Sequence, residues 1–212
     1  MKLPIPDRQS TIDPDRSVLL VIDAQKGILN PAAQKTRPYY YRTATDIAVP
    51  NIARLIAAAR QVRCEVIYTV IASLTKDGRD RSLDYKQTSF HFVPGSPETE
   101  VIDALSPGDD DIVIPKTSSS LFNSTNFEYL VRNIGLDTII VTGFLTDQCV
   151  DHTVRDGADR GFRMICPADA CTTDSEARHQ GALSAFVGYC RLTDTATLLK
   201  EFTRVVRAAG VP

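Results

Sequence analysis

The chain has 212 residues, of which 43% are hydrophobic and 24% charged, and its formal net charge is −2. This length and composition predict one globular domain spanning residues 1–212. With no excess of positive charge, we expect the protein to bind neither nucleic acid nor an anionic membrane, and no apolar run approaches the ~20 residues of a membrane span. Residues 1–15 lack the apolar core of a secretory signal, and the five cysteines are scattered. That pattern predicts reduced thiols in the cytoplasm.

Apolar runs alternate with helical stripes along the chain, and their periodicity separates strands from helices. Strands are predicted at residues 17–22, 64–71, 111–115, 138–141, 162–166 and 191–193. Helices are predicted at residues 46–59, 98–105, 127–134, 150–158, 183–190 and 198–209. Strands that alternate with helices in this way predict an α/β protein, a three-layer α-β-α sandwich with a central six-stranded, mainly parallel sheet.

Two segments interrupt this alternation. Residues 27–44 contain two prolines and the consecutive tyrosines Tyr39, Tyr40 and Tyr41, and they are predicted to form an irregular segment above the sheet. Residues 72–97 are rich in glycine, proline and charged side chains. So long a connection in a compact domain is usually a lid or a binding loop. We therefore expect both segments to contribute to a binding site.

Cys149 lies in the first turn of a predicted helix, just beyond the C-terminal end of the strand at residues 138–141. Gly143 is expected to end that strand, and Thr146 or Asp147 to cap the helix. Open α/β sheets bind their ligands at this edge, and a helix N-terminus favours a thiolate over a thiol. Cys149 is therefore a candidate nucleophile, although an inert buried cysteine at a helix start has the same pattern.

Asp23 and Lys116 occupy equivalent positions, each directly after a predicted strand. Because the C-terminal ends of parallel strands share one edge of a sheet, Asp23, Lys116 and Cys149 could converge there. A carboxylate, an amine and a thiol together suffice for nucleophilic catalysis, since the carboxylate can take the thiol proton and the cation can stabilise the resulting charges. Taken singly, Asp23 could instead be a turn or cap residue, and Lys116 a solvated surface charge.

Four stretches of the sequence carry a resemblance to a known family: VLLVIDAQKGI, VPNIARLIAAAR, VIPKTSSSLFNSTNFEYLVRNIGLDTIIVTGFLTDQCV and DGADRGF. The chain resembles the isochorismatase-like cysteine hydrolases, the superfamily of nicotinamidases, N-carbamoylsarcosine amidohydrolases, and ureidoacrylate or biuret hydrolases. The resemblance implies an isochorismatase-like fold in which Asp23 is the base, Lys116 its partner and Cys149 the nucleophile. It also implies a cis peptide between Phe144 and Leu145, whose use would be to aim the N–H groups of Leu145 and Cys149 at an oxyanion.

The histidines distinguish this chain from one branch of that family. Nicotinamidases hold a metal with an Asp-x-His motif and a further histidine, whereas His91, His152 and His179 are isolated in this sequence. We therefore expect no catalytic metal and no cofactor, and a nicotinamidase activity is disfavoured. His152 lies one helical turn after Cys149 and could form a Cys–His pair, but the carboxylate and the amine already fill those roles.

Together these features predict a cytoplasmic hydrolase that cleaves a C–N bond of a small amide or ureido substrate through a thioester on Cys149. A homo-oligomer, either a dimer or a tetramer, is expected. Besides the loop at residues 72–97, contacts with the substrate are expected from Gln25, Tyr39, Tyr40, Tyr41 and Phe144.

The sequence is compatible with three other functions. An isochorismatase-type hydrolase cleaves an enol ether and can act without the cysteine, so the presence of Cys149 favours C–N hydrolysis. A non-catalytic binding or assembly protein on the same fold would carry the three residues as relics. An aspartyl-phosphate enzyme would use Asp23 as its nucleophile, but that chemistry usually needs a second carboxylate two residues later, where this sequence has Gln25.

Overall fold

The computed structural model describes residues 7–208, and a single sheet runs through them. Within this part of the chain the strands are β1 (Ser17–Ile22), β2 (Glu65–Ile71), β3 (Ile112–Lys116), β4 (Thr138–Phe144), β5 (Arg163–Pro167), β6 (Cys171–Thr172) and β7 (Cys190–Thr193). Their order is β3-β2-β1-β4-β5-β7, with β6 beside β4, and every pair is parallel. The predicted mainly parallel sheet is confirmed, with six strands along its main path and a two-residue seventh beside them.

Helices flank this sheet. The α-helices among residues 7–208 are α1 (Ala33–Thr36), α2 (Pro38–Thr43), α3 (Val49–Gln61), α4 (Leu83–Gln87), α5 (Leu121–Ser124), α6 (Phe127–Ile134), α7 (Asp151–Asp159), α8 (Glu176–Phe186) and α9 (Thr195–Ala208). Helix α3 packs against α9, and α7 packs against both α5 and α8. In the described residues, none of the helices combines the length and the apolar character that crossing a membrane requires.

The two central strands determine where a site can form. Every residue of β1 and β4 is buried, as expected for continuous apolar runs in a parallel sheet that is covered on both faces. Strand β1 pairs with β2 on one side and with β4 on the other, so the order of the strands reverses between β1 and β4. Such a reversal opens a crevice at the C-terminal edge of a sheet, where α/β proteins bind their ligands.

Residues 27–44 are more regular than the sequence predicted. They include α1 and α2, and a π-helical turn, Ala44–Ala48, connects α2 with α3. Pro38 is the first residue of α2, where the missing N–H of proline leaves no helical hydrogen bond unmade. The prediction of an irregular segment was wrong because proline at this position is compatible with a helix.

The helix predicted at residues 98–105 is not formed. Two 3-10 turns, Pro97–Thr99 and Asp103–Leu105, flank Val101, and the backbone of Val101 pairs with Gln25 in an antiparallel bridge. The side chain of Gln25 also binds this connection. These contacts hold the backbone extended between the two turns, and they are long-range contacts that helical periodicity does not reveal.

Strand β4 continues past Gly143, where the sequence predicted its end. Gly143 has a φ of +110°, and a Cβ atom at this position would lie 2.1 Å from the carbonyl oxygen of Ile22 in β1. Only glycine fits so close an approach between two backbones. The strand therefore carries the chain on to Phe144, at the crevice, before it turns.

Helix α8 begins earlier in the chain than its predicted apolar stripe, residues 183–190. Ser175 caps the helix, because its hydroxyl oxygen accepts a hydrogen bond from the N–H of Arg178 at 3.3 Å. Cys190 belongs to β7 instead of to the helix. The first two turns of α8 are polar, and a search for apolar periodicity therefore missed them.

Candidate active site

The side chains of Asp23, Lys116 and Cys149 meet at the C-terminal edge of the sheet. Asp23 directly follows β1, Lys116 is the last residue of β3, and Cys149 lies one turn beyond β4. Lys116 Nζ is 2.9 Å from Asp23 Oδ2 and 3.3 Å from Cys149 Sγ. None of the three residues is more than 5% exposed. The convergence expected from the strand ends is therefore observed.

The carboxylate of Asp23 is oriented by the neighbouring strand. The hydroxyl of Thr69 in β2 donates to Asp23 Oδ1 at 2.8 Å, and the N–H of Asp23 donates to the Thr69 carbonyl at 3.0 Å. The other carboxylate oxygen, Oδ2, faces the Lys116 ammonium but accepts no well-aligned hydrogen bond from the described residues. That oxygen is consequently the one able to receive a proton from a nearby group.

The ammonium of Lys116 is fully buried and contacts four groups, one of which is the hydroxyl of Tyr85. Besides its contact with Asp23, Nζ donates to the carbonyl of Ser118 at 3.0 Å and to Cys149 Sγ. Burial works against the charge of Lys116, but the charges of Asp23 and Cys149 outweigh burial, and the pKa of Lys116 is raised above its ordinary value. The side chain is therefore a permanent cation at this edge of the sheet.

The thiol of Cys149 does not ionise readily. Burial raises its pKa to about 11; the Lys116 ammonium opposes the rise and the Asp23 carboxylate adds to it. A helix start was expected to favour the thiolate, but burial is the largest influence on the pKa of this sulfur and acts in the opposite direction. Near neutral pH the sulfur keeps its proton, so its use as a nucleophile requires a base.

The turn that carries Cys149 follows directly from β4. The peptide bond between Phe144 and Leu145 is cis, as the family resemblance implied. A π-helical turn, Thr146–Val150, comes next and leads into α7. The Leu145 carbonyl accepts hydrogen bonds from the N–H groups of Gln148 and Val150, at 3.0 and 3.2 Å. Cys149 therefore lies inside a helical turn that the backbone itself closes.

The predicted helix caps do not act as caps. The hydroxyl of Thr146 forms a hydrogen bond of 2.8 Å with Nδ1 of His179, and no side chain caps this helical turn. The carboxylate of Asp147 accepts from the hydroxyl of Thr173 at 2.5 Å and also pairs with the guanidinium of Arg178. Both side chains thus connect the turn to the segment around α8, and these tertiary contacts replace the local capping bonds.

A cavity of about 670 Å³ opens over Cys149. Among its lining residues are Asp23, Ile28, Arg37, Ser82, Asp84, Tyr85, Phe90, Ser118, Ser119, Ser120, Asn123, Phe144, Leu145, Gln148, Cys149 and His152. Its wall is mixed, with aromatic and aliphatic side chains beside hydroxyl and amide groups. Small polar molecules fit a cavity of this size and character.

Of the expected substrate contacts, Phe144 lines the cavity, whereas Gln25 does not. Gln25 is fully buried, and its Nε2 donates to the carbonyls of Ile71 and Glu98 at 3.0 and 2.9 Å. Its Oε1 accepts from the N–H of Ile71 at 2.6 Å. All these bonds fasten the connection after β2 to the end of β1, so the amide of Gln25 is occupied in holding the backbone.

The three consecutive tyrosines also lie outside the cavity wall. Tyr40 is fully buried, and its ring packs edge-on against Phe144 with the ring centroids 5.4 Å apart. The hydroxyl of Tyr39 donates to Glu176 in α8, and Tyr41 packs partly buried against the core. Because α2 is helical, these side chains point in different directions and not together toward a ligand.

Two residues that the sequence did not single out stand at the cavity. The hydroxyl of Tyr85 in α4 lies 3.4 Å from Lys116 Nζ and 3.8 Å from Cys149 Sγ. Arg37 lies over the ring of Tyr40 and donates from Nε to Asp174 at 2.5 Å. Tyr85 belongs to the segment 72–97, whose length was the only signal in the sequence. Arg37 belongs to the segment 27–44, in which the sequence singled out the tyrosines and not this arginine.

The histidines are dispersed in the structure as they are in the sequence. His152 is exposed, with Nδ1 2.9 Å from the carbonyl of Gln148, and no contact joins it to Cys149 among the described side chains. The Cys–His alternative therefore finds no geometrical support. Across residues 7–208, histidine, cysteine and carboxylate side chains form no group of three or more that could hold a metal ion.

The chain has the architecture of an α/β hydrolytic enzyme, because its parallel sheet brings a carboxylate, an ammonium and a thiol together at one edge. The family model described as the Isochorismatase domain matches residues 17–197. The chain therefore belongs to the isochorismatase family and is an isochorismatase-like hydrolase.

Two sequence relatives are named as amide-cleaving enzymes. The N-carbamoylsarcosine amidase of Arthrobacter sp is 34% identical over 129 residues, which cover 58% of this chain and 49% of that protein. The ureidoacrylate amidohydrolase RutB of Methylobacterium radiotolerans is 28% identical over 199 residues, covering 86% of this chain and 77% of the relative. The chain thus matches about half the length of the first relative and about three quarters of the second.

Solved structures resemble the whole fold. A cysteine hydrolase from Pseudomonas syringae pv. phaseolicola superposes with a TM-score of 0.83 at 28% identity, covering 96% of this chain and all of that one. The N-carbamoylsarcosine amidase from Thermoplasma acidophilum gives a TM-score of 0.70 at 23% identity and covers 85% of this chain and 96% of that one. At that lower identity the likeness concerns the fold alone.

Proposed function

We propose that this protein hydrolyses a C–N bond of a small amide or ureido compound through a thioester on Cys149. The observation that carries the proposal is the buried Lys116 ammonium, which lies 2.9 Å from Asp23 Oδ2 and 3.3 Å from Cys149 Sγ at the cavity. The names of the two sequence relatives, an amidase and an amidohydrolase, support the same bond type. The presence of Cys149 favours this reaction over the cleavage of an enol ether.

The first step is a proton transfer from Cys149 to Asp23. Because burial raises the pKa of the thiol to about 11, the sulfur needs a base near neutral pH. Asp23 Oδ2 accepts no hydrogen bond from residues 7–208 that would compete for the proton. The transfer moves a negative charge from the carboxylate to the sulfur. Lys116 contacts both groups, so its ammonium stabilises the negative charge at either position.

The thiolate then attacks the carbonyl carbon of the substrate. The negative charge that develops on the carbonyl oxygen would be held by the backbone N–H groups of Leu145 and Cys149, which both belong to cavity-lining residues. The C–N bond breaks, and the protonated Asp23 gives its proton to the departing amine. A water molecule, deprotonated by the same carboxylate, attacks the thioester and releases the acid or carbamate together with the thiol.

We propose further that residues 1–212 act as one domain within a cytoplasmic homo-oligomer, a dimer or a tetramer. One sheet connects strands from residue 17 to residue 193, which supports a single folding unit. All five cysteines are free and buried, in keeping with a reducing compartment. Exposed apolar side chains such as Leu74, Leu83 and Tyr129 provide surface for contacts between subunits.

The test compares wild type, Cys149→Ala and Cys64→Ala on a panel of amides, ureido acids and isochorismate. Cys64 is also a buried cysteine, but it does not line the cavity. We expect release of ammonia or amine by wild type and Cys64→Ala, and a loss of about three orders of magnitude or more in kcat for Cys149→Ala. Trapping of an acyl group on Cys149, detected by mass spectrometry, would identify the thioester.

Three results would contradict the proposal. Retention of more than about a few per cent of the amide-cleaving rate by Cys149→Ala would remove the nucleophile. Cleavage of isochorismate at equal rates by wild type and Cys149→Ala, with no turnover of amides, would assign the enol-ether reaction instead. Absence of turnover on every compound, together with alkylation of Cys149 no faster than that of the other cysteines, would favour the non-catalytic binding protein.

A further inference from the structure

A second polar side chain, in addition to Lys116, contacts the sulfur of Cys149. Tyr85 in α4 is buried, and its hydroxyl oxygen lies 3.8 Å from Cys149 Sγ. Both the backbone and the ring of Tyr85 are held in place. The N–H of Tyr85 donates to the capping hydroxyl of Ser82 at 3.2 Å, and the ring packs edge-on against Phe90 with a centroid separation of 5.3 Å.

The hydrogen-bond donors and acceptors around Lys116 determine which way the Tyr85 hydroxyl can point. Four acceptors surround the ammonium: Asp23 Oδ2 at 2.9 Å, the Ser118 carbonyl at 3.0 Å, Cys149 Sγ at 3.3 Å and the Tyr85 oxygen at 3.4 Å. An ammonium group has three protons to donate and cannot accept a hydrogen bond. The Tyr85 oxygen can therefore only accept from Lys116, which leaves the proton of the hydroxyl free to point to the sulfur.

The Tyr85 hydroxyl binds the thiol and the thiolate of Cys149 with different strength. A thiol is a weak acceptor, whereas a thiolate carries a full charge and binds donors strongly. Nζ hydrogen-bonds Ser118, Cys149 and Tyr85 and pairs with Asp23 by charge, so a single proton of Lys116 is available to the sulfur. A second donor at the sulfur is thus most valuable once the thiol has lost its proton.

We propose that Tyr85 is a catalytic residue whose hydroxyl donates a hydrogen bond to the Cys149 thiolate and stabilises it during attack. The proposal rests on the proposed thiol mechanism and adds a fourth member to it. No proton leaves Tyr85: its O–H bond stays intact while the thiol proton passes to Asp23. Burial raises the pKa of Tyr85, so the phenol keeps the proton that it must donate. Because the bond strengthens as the charge develops, it lowers the barrier and does not tighten substrate binding.

The experiment replaces Tyr85 with phenylalanine, which keeps the ring and its contact with Phe90 but removes the donor. Iodoacetamide alkylation of Cys149 is followed from about pH 7 to 9, where the rate is proportional to the thiolate fraction. We expect alkylation about tenfold slower in Tyr85→Phe at each pH, and kcat lower by about 10- to 100-fold with KM little changed.

Tyr68→Phe is the matched control. Tyr68 is a fully buried tyrosine of β2 that does not line the cavity, and its hydroxyl has no hydrogen-bond partner within residues 7–208. It should alkylate and turn over like wild type. If Tyr85→Phe does the same, or if only its KM rises, Tyr85 is a wall residue and the proposal is overturned.

The experiments distinguish an error in the proposed function from an error in the role of Tyr85. Cys149→Ala that still turns over amides would overturn the thiol mechanism, whereas an inactive Cys149→Ala beside an unchanged Tyr85→Phe would overturn the role of Tyr85 alone. Misfolding of Tyr85→Phe would appear in the same assay as fast alkylation of the four other cysteines. In that case 3-fluorotyrosine at position 85 keeps the ring and the oxygen, and its more acidic phenol should speed alkylation of Cys149. An unchanged rate would again overturn the proposal.

Discussion

The Lys116 ammonium lies between the carboxylate of Asp23 and a thiol whose pKa is raised by burial. Its 2.9 Å contact with Asp23 compensates one negative charge in a region from which water is largely excluded. Removing one partner of such a buried pair leaves the other charge uncompensated. At Lys116 the uncompensated charge would have a second acceptor, the sulfur of Cys149, 3.3 Å away. The ionisation of the thiol is therefore coupled to the charge of Asp23.

The first prediction at this scale concerns Asp23→Asn. The carboxylate of Asp23 raises the pKa of Cys149, so its removal should lower that pKa and increase the thiolate fraction near neutral pH. Alkylation of Cys149 by iodoacetamide should become faster than in wild type. Turnover should nevertheless fall by at least about 100-fold, because no base remains to take the thiol proton and return it to the amine.

The control for Asp23→Asn is Asp111→Asn. Asp111 is also ion-paired, with Arg60, but it lies outside the cavity wall. It should leave the rate of alkylation and kcat unchanged. Near-normal turnover in Asp23→Asn would contradict the assignment of Asp23 as the base and would leave the thiol to be activated by the helical turn alone. Slower alkylation would contradict the coupling between the charge of Asp23 and the ionisation of the thiol.

At the scale of secondary-structure elements, the approach of β4 to β1 fixes the distance between Cys149 and Asp23. The two strands pair from Ser17 and Thr138 as far as Ile22 and Gly143, the residue before the cis peptide. The π-helical turn that carries Cys149, Thr146–Val150, begins only three residues after this last pair. Any change that separates the two strands at their C-terminal ends should therefore also separate the reacting groups.

Gly143→Ala tests this arrangement. An added Cβ would lie 2.1 Å from the Ile22 carbonyl oxygen, and the φ of +110° disfavours any side chain. We expect the free energy of unfolding to fall by about 3 kcal/mol or more, measured by urea denaturation. Any folded fraction should also lose activity.

Gly181→Ala is the opposite case. Gly181 lies within α8, and within residues 7–208 no atom beyond its own stretch of helix is within 4 Å of where its Cβ would stand. Alanine should therefore stabilise the protein by about 0.5 to 1 kcal/mol. If both substitutions shift the unfolding midpoint equally, the close approach of the two strands is not what requires glycine at position 143.

The elements also show what could be predicted from the sequence. Asp23, Lys116 and Cys149 were found because apolar runs determine where strands end, and parallel strands end at one edge. Tyr85 was not found, because its position depends on the path of a long connection. Gln25 fastens that connection through bonds to Ile71 and Glu98, which are 46 and 73 residues away in the chain. Bonds at such separations leave no local pattern in a sequence.

At the scale of the whole molecule, a buried ion pair joins the two ends of the described chain. Arg191 in β7 pairs with Glu201 in α9, and their side chains are 8% and 9% exposed. Glu201 Oε2 also accepts from the N–H of Ile12 at 3.3 Å, and Arg191 donates to the carbonyl of Ser10 at 3.3 Å. The pair thus holds an edge strand, the last helix and the segment before β1 in one cluster.

Glu201→Gln should weaken this cluster because it leaves the Arg191 guanidinium buried without its counter-charge. We expect a loss of about 3 to 5 kcal/mol in the free energy of unfolding. If residues 1–212 form one domain, thermal unfolding should remain a single transition at a lower temperature, and tyrosine fluorescence and circular dichroism should coincide. Two separate transitions would contradict the single domain. Lys200→Gln, at an exposed neighbouring position, should change the melting temperature little.

The residues that meet at the sheet edge and most of those that wall the cavity belong to different kinds of segment. Asp23 and Lys116 stand at the ends of strands, whereas Ser82 and the serines at 118–120 belong to connections between elements. Connections accept insertions and substitutions that a buried strand does not tolerate. Proteins with this fold can therefore evolve specificity for a new substrate through substitutions in the connecting segments, while the reacting groups stay the same. Within such a family, substitutions should therefore accumulate first among the cavity-lining residues of the connections and last among the reacting groups at the sheet edge.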